Sequence, residues 1–170
     1  SGKSLMQGGA RYNFTGIQCL GPATTADSLT ALKQVVYEEK KCTPEEFYDA
    51  LLKNWEGHQR LYQLVNSDKV HHYGNDDDYA DAMMKYVLDS FCNRLQSYPP
   101  TRGGIGVIKD GVLSTIINLL SGLVCGASPD GRKHHEAISE NIGAARTAHS
   151  NRDRNGPTAY ARSIGKLNHE

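Results

Sequence analysis

The stretch Gly8-Gly9-Ala10-Arg11-Tyr12-Asn13-Phe14-Thr15-Gly16-Ile17-Gln18 most constrains this chain. Paired glycines let a backbone take positive φ or be approached closely by another segment. The aromatic and β-branched residues after them read as a short buried strand. A glycine inside such a run marks a bulge or a close backbone approach. The stretch ends at the Gly21-Pro22 break. By itself it is a turn and a strand, and the rest of the chain decides its meaning.

A helical block comes next. Leu29, Leu32 and Val36 recur at helical spacing and predict a helix over 25–39, with Thr25 or Asp27 as its cap. Thr43-Pro44-Glu45-Glu46 is a helix start: Thr43 accepts from a first-turn amide, Pro44 loses nothing at N1, and Glu46 can close a capping box. Phe47, Tyr48, Leu51, Leu52 and Trp55 are expected to line one face, with Gly57 as the breaker. Leu61, Leu64 and Val65 give a shorter amphipathic piece over 59–66. A long helix is predicted over 76–97, its stripe Met83, Met84, Val87, Leu88, Phe91 and Leu95, with Asp76, Asp77 and Asp78 at its positive end.

Beyond Tyr98-Pro99-Pro100 the pattern changes. Residues 103–108 and 112–120 are β-branched and glycine-punctuated, and read as buried strands or a strand and an extended segment. Ser128-Pro129-Asp130-Gly131-Arg132 is a turn by its chemistry, and a last helix is predicted over 158–165. This order makes the class α/β, with the helical block in the middle.

Composition limits function. The chain has 170 residues, with 19 basic and 19 acidic ones, and this balance leaves no footprint for nucleic acid or an anionic membrane. No apolar run approaches the roughly 20 residues of a membrane span. Ser1–Met6 carries one Lys and no apolar core, and is not expected to be a secretory leader. Cys19, Cys42, Cys92 and Cys125 are far apart, with no Cys-x-x-Cys pair; a reduced, cytoplasmic protein is expected.

Site chemistry is weak in isolation. Asp76–Asp78 lacks the glycine and closing glutamate of a calcium loop, and reads as a charged helix start. His71-His72 and His134-His135 are tandem pairs, not the i, i+4 spacing that places two imidazoles on one helix face. Gly103-Gly104-x-Gly106 lacks the Lys-Ser/Thr of a phosphate loop. None of the four cysteines has a sequence neighbour that lowers its pKa.

The order of short motifs says more. The opening stretch is followed by Ala-Asp-Ser-Leu-Thr-Ala-Leu-Lys (26–33), Val-Tyr-Glu-Glu-Lys-Lys (36–41), Asn-Trp-Glu-Gly (54–57) and Tyr-Gly-Asn-Asp-Asp-Asp-Tyr-Ala-Asp (73–81). Gly-Ala-Ser-Pro-Asp-Gly-Arg (126–132) and Arg-Asp-Arg-Asn-Gly-Pro-Thr-Ala (152–159) complete the series. This series closely resembles the glycyl radical enzymes of the pyruvate formate-lyase-like superfamily. It looks most like the branch holding glycerol dehydratase, choline trimethylamine-lyase, hydroxyproline dehydratase, isethionate sulfite-lyase and the arylacetate decarboxylases.

The resemblance implies a single segment, 1–170, from the C-terminal half of a ten-stranded β/α barrel domain. In such enzymes a radical-SAM activase, using S-adenosylmethionine and an iron–sulfur cluster, installs a glycyl radical. That radical oxidises a cysteine, and the thiyl radical starts C–O, C–N, C–S or C–C cleavage of a small substrate. The same resemblance implies a cytoplasmic, anaerobic homo-oligomer.

The family's Cys-x-Glu pair is missing: Gly21, Pro44, Arg94 and Ala127 stand two places after the cysteines. Arg162-Ser163-Ile164-Gly165 looks like the radical loop but lacks its aromatic, and aligns well ahead of it. The catalytic cysteine is therefore expected before residue 1 and the radical glycine after residue 170. This chain alone is expected to bind no cofactor and to be inactive. Gly111-Val112-Leu113-Ser114-Thr115 matches a barrel strand in which an aromatic often replaces Leu113. Alternation puts Leu113 and Thr115 on one face, as substrate-pocket candidates or as plain core. Two other readings stay open: a non-catalytic scaffold that docks through apolar strand faces, and a metal-dependent hydrolase using Asp76–Asp78 and the histidines.

Overall fold

The computed structural model describes residues 2–12, 15–99, 108–111, 117–140, 142–147 and 150–167. After a 3-10 turn, Leu5–Gln7, the chain enters β1 (Thr15–Gln18). Four helices follow: α1 (Pro22–Ala31), running on as a π-helical stretch Leu32–Glu38, then α2 (Pro44–Leu52), α3 (Gln59–Val65) and α4 (Asp78–Gln96). Then come β2 (Ile108–Gly111), α5 (Ile117–Val124), a hairpin of β3 (Arg146–Thr147) and β4 (Ser150–Asn151), and α6 (Gly156–Gly165). β1 and β2 are parallel, with Thr15 opposite Ile108 and Gln18 opposite Gly111, so α1–α4 form the crossover between them. The result is mixed and helix-rich.

Two apolar clusters hold the helices. Ala31, Val35, Val36, Phe47, Ala50, Trp55, Leu61 and Val65 join α1 and its π-helical continuation to α2 and α3. Ala23, Ala26, Ala80, Met84 and Leu88 join α1 to α4, and their small side chains let these two helices pack closely. The same face of α1 also buries polar groups. Asp27 is fully buried and accepts from the Tyr73 amide at 2.8 Å. In the π-helical stretch, Gln34 donates to the Lys69 carbonyl (2.8 Å) and accepts from the His71 amide (3.1 Å), tying that stretch to the segment before α4.

Some expectations hold and others are corrected. Thr43 caps α2, accepting from the Glu46 amide at 3.1 Å with Pro44 at N1. Asp77 caps α4, accepting from the Tyr79 amide at 3.0 Å. α1 starts at Pro22 behind Gly21, so neither Thr25 nor Asp27 is its cap. α2 stops at Leu52, not Gly57, because Asn54 and Trp55 take φ of 51° and 68°. Phe47 and Trp55 are consequently buried while Tyr48 and Leu52 are exposed.

The strand expected over 112–120 is helical from Ile117 onward; 112–116 lie outside the described residues. An apolar run this short does not separate strand from helix by periodicity. The first strand is present, but Gly16, Ile17 and Gln18 are exposed rather than buried.

Gly122 fixes how α5 sits. A Cβ there would lie 2.2 Å from the Glu136 carbonyl oxygen, so the helix rests directly on the backbone of 136–137. Gly122→Ala is expected to cost about 1–3 kcal/mol through overpacking, read as a lower urea midpoint at unchanged slope.

Candidate functional site

Leu113 and Thr115, the expected substrate-pocket residues, lie outside the described residues. The helix that comes closely after them, α5, places Asn118 and Leu119 on the wall of a cavity of about 310 Å³. Glu140, Arg146, Asp153 and Tyr160 line the same cavity. Its frame is held by paired hydrogen bonds. Asn118 Nδ2 donates to the Ile138 carbonyl and the Ile138 amide donates to the Asn118 carbonyl, both at 3.3 Å. The Ser139 amide donates to Thr24 Oγ1 (2.8 Å) and the Thr24 amide to Ser139 Oγ (2.9 Å), locking this wall to the first turn of α1.

Burial, and then the Asp153 carboxylate, push the Tyr160 phenol up, so it remains a neutral donor at neutral pH. Asp153 Oδ1 is buried without a hydrogen-bond partner among the described residues. A phenol, a guanidinium and two carboxyl groups around a space of this size can orient a small polar molecule. Sequence reading missed Tyr160, Arg146 and Glu140, because the chain distances involved carry no local spacing signal.

The two motifs Asp130-Gly131-Arg132 and Arg152-Asp153-Arg154-Asn155 converge behind this cavity. Arg152 is fully buried; Nη2 donates to Asn66 Oδ1 (2.8 Å) and to the Asp130 carbonyl. Arg132, also buried, donates to the Glu136 carbonyl (2.7 Å), the Lys133 carbonyl (3.1 Å) and Ser128 Oγ (3.0 Å). Burial raises the Asp130 carboxyl above the ordinary range, with the Ser128 hydroxyl and Arg152 pulling it down. Asn75 Oδ1 accepts from the Arg154 and Asn155 amides (2.7 and 3.1 Å) while its Nδ2 donates to the Arg152 carbonyl (2.7 Å). A second cavity of about 280 Å³ opens here, and its acids are already paired: Asp68 with Arg154, Asp77 with His71 at 2.5 Å.

α4 starts at Asp78 with Asp77 as its cap, so Asp76, expected in its first turn, lies just ahead of it, and cations engage Asp76 and Asp78. Lys166 Nζ reaches Asp76 (2.9 Å), Asp78 (2.7 Å) and the buried Asp81 (2.8 Å), and Arg162 reaches Asp76 (3.2 Å). Hydrogen bonds from Lys166 and then Arg162 hold the Asp76 carboxyl below its usual range. In Lys166→Met that carboxyl is expected to titrate higher, yet still below a free Asp because Arg162 remains; an NMR titration of Asp76 checks it. His134 and His135 stack at 3.7 Å, with His135 Nδ1 on the Leu123 carbonyl at 2.7 Å. Among the described residues no three or more His, Cys, Asp or Glu gather to hold a metal.

The four cysteines form no disulfide among the described residues, and all are partly buried. The Cys42 thiol is pushed up by burial and then by Glu46, opposite to what a nucleophilic thiolate needs. Gly165 ends α6, where a Cβ would meet nothing within 4 Å, and the buried Ser163 beside it accepts from the Asp76 amide at 2.8 Å. This is a docked helix end.

A sequence model described as pyruvate formate lyase-like matches residues 1–122. The chain is 46% identical over 169 residues to a (2S)-3-sulfopropanediol dehydratase of Klebsiella oxytoca, covering 99% of this chain and 20% of that protein. It is 39% identical over 168 residues to a trans-4-hydroxy-L-proline dehydratase of Clostridioides difficile, again 99% against 20%. Among solved structures, the glycerol-bound B12-independent glycerol dehydratase from Clostridium butyricum superposes with a TM-score of 0.88 at 34% identity, over 99% of this chain and 20% of its own. Hydroxyproline dehydratase from Clostridioides difficile superposes at 0.85 and 39%, over 96% of this chain and 20% of its own. The chain thus spans about a fifth of the relatives it matches. The pyruvate formate lyase-like match, the identities and the shared fold have one reading: this chain belongs to the pyruvate formate lyase-like family, the glycyl radical enzymes.

Proposed function

We propose that residues 1–170 are an internal stretch of a glycyl radical lyase or dehydratase that cleaves a C–O, C–N, C–S or C–C bond of a small organic substrate. The observation that carries this is collinearity: identity to two dehydratases extends over 99% of the chain but only 20% of each relative. In this reading β1, the α1–α4 crossover and β2 are one slice of the ten-stranded barrel. A parallel strand pair is ordinarily covered on both faces. The exposure of Gly16, Ile17 and Gln18 fits a slice whose neighbours lie elsewhere in the polypeptide.

When installed by its radical-SAM activase, the glycyl radical supplies the oxidising equivalent that generates a thiyl radical. Gly165 and Cys42 do not fit those roles: the first is a docked helix end and burial pushes the thiol of the second up. What this stretch contributes is wall and frame, excluding water and orienting substrate. Leu113 and Thr115 are substrate-pocket candidates by resemblance, and a leucine lacks the hydrogen-bond donor of a phenol, which leaves a bulkier or more apolar substrate open. The whole enzyme is an anaerobic, cytoplasmic homo-oligomer in this reading.

The parent open reading frame is the test. A Cys-x-Glu upstream and an Arg-Val-x-Gly downstream are expected, as is an anaerobic glycyl-radical signal after activase treatment. A frame lacking both motifs overturns the proposal. It would favour a non-catalytic scaffold, for which the exposed apolar face of α5 is the one supporting observation.

A further inference from the structure

Helix α5 is turned inside out. An amphipathic helix at a protein surface shows its polar side to water and buries its apolar stripe. Here Asn118 and Gly122 are buried, whereas Ile117, Leu119, Leu120, Leu123 and Val124 are 43%, 54%, 61%, 51% and 84% exposed. At 100° per residue these five side chains occupy one arc of roughly 160°. The orientation is built in. Gly122 rests on the backbone of 136–137, and the reciprocal Asn118–Ile138 hydrogen bonds prevent the helix from rolling. No charged residue occurs between Asp110 and Asp130, so nothing in this stretch adapts the face to water.

We propose that this face of α5 is the seat of an apolar helix or strand face of the same polypeptide, from the part lying outside residues 1–170. The inference rests on the reading above, that the stretch belongs to a longer radical enzyme. Three observations select this occupant. Similar chains are about five times longer, and one solved structure superposes on 99% of this chain at a TM-score of 0.88. The arrangement α5 belongs to is thus one that exists inside a much longer chain. Secondly, the exposed side chains offer on the order of 500 Å², in the upper part of the range for the largest apolar patch of a monomer, a patch that commonly marks a contact site, and less than the roughly 800 Å² per partner of a stable dimer. Thirdly, a lipid-bound helix carries Lys or Arg along its polar side, and α5 has neither.

Hydroxyl-radical footprinting of the 170-residue chain and of the full polypeptide from its open reading frame is the test. Labelling of Leu120, Leu123 and Val124 is expected to fall roughly tenfold in the full polypeptide, the ratio between a half-exposed and a buried side chain. Leu120→Asp is expected to leave the melting of the 170-residue chain unchanged and to lower that of the full polypeptide by several degrees. Equal labelling in the two proteins overturns the inference. So does protection that rises with concentration in the 170-residue chain alone, since a second copy then occupies the face. The radical-enzyme reading fails instead on the motifs of the open reading frame, so the two failures are told apart.

Discussion

Arg152→Ala is expected to destabilise the chain by about 3–5 kcal/mol, the range for removing one member of a buried charged network. Arg152 is fully buried, and its guanidinium is the shared donor to Asn66 Oδ1 and the Asp130 carbonyl. Its main chain adds two further ties, the amide to the Ala145 carbonyl (3.1 Å) and the carbonyl to Asn75 Nδ2 (2.7 Å). Truncation strands both acceptors and withdraws the cation that partly offsets burial of the Asp130 carboxyl. Nε and Nη1 have no partner among the described residues, so part of the guanidinium's desolvation is uncompensated in the wild type. Arg152→Met, which keeps volume and drops those donors, is therefore expected to cost less than Arg152→Ala.

The loss should also depend on pH. A carboxyl whose folded pKa lies above its unfolded value stays protonated in the native state while the unfolded chain has already released its proton. Stability then falls as pH rises from the ordinary carboxylate range through the raised folded pKa. Without Arg152 the Asp130 pKa climbs further, so the difference between variant and wild type should be smaller at pH 4 than at pH 7. Urea unfolding at the two pH values measures it. A difference that shrinks as pH rises would refute the electrostatic share of the loss.

Local chemistry was legible in the sequence wherever a residue acts on its own turn. Thr43-Pro44 and Asp77 cap the helices they precede, and Ser128–Arg132 turns as written, the Gly131 amide donating to the Ser128 carbonyl at 3.0 Å. Legibility failed where a distant partner decides. Asp27 looks like a cap, but the Tyr73 amide, 46 residues on, turns it into a buried acceptor. The run 112–120 reads as a buried strand or an extended segment; from Ile117 it is a helix, seated by Gly122 on 136–137, and a face that no described segment covers leaves it exposed. The cavity beside Tyr160 brings together α5, the 137–146 segment and α6, a meeting that no spacing rule encodes. Family resemblance, by contrast, was legible because it rests on the order of motifs and not on their contacts.

Trp55→Ala is expected to cost about 3–5 kcal/mol, the range for truncating a buried aromatic. The residue sits where α2 ends: Asn54 and Trp55 both take positive φ, and the Trp55 amide reaches back to the Ala50 carbonyl at 2.7 Å. Positive φ costs Trp55 about 1–2 kcal/mol and Asn54 less, so something must hold the pair. That hold is the indole, which meets Phe47 edge-on and Tyr62 at a tilt, both at 5.7 Å, and donates Nε1–H to the Arg132 carbonyl at 3.3 Å. The bond links the helical block to the Asp130-Gly131-Arg132 turn, 77 residues away. Trp55→Phe keeps most of the aromatic contact and loses only the donor, so about 1–3 kcal/mol is expected, the cost of one unsatisfied buried acceptor. Urea unfolding followed by far-UV circular dichroism serves for both variants, since Trp55 is the sole tryptophan and each removes the fluorophore. If Trp55→Phe costs as much as Trp55→Ala, the hydrogen bond and not aromatic packing holds the bend. If neither costs more than about 1 kcal/mol, the strained pair at 54–55 is held by the chain around it and not by the indole.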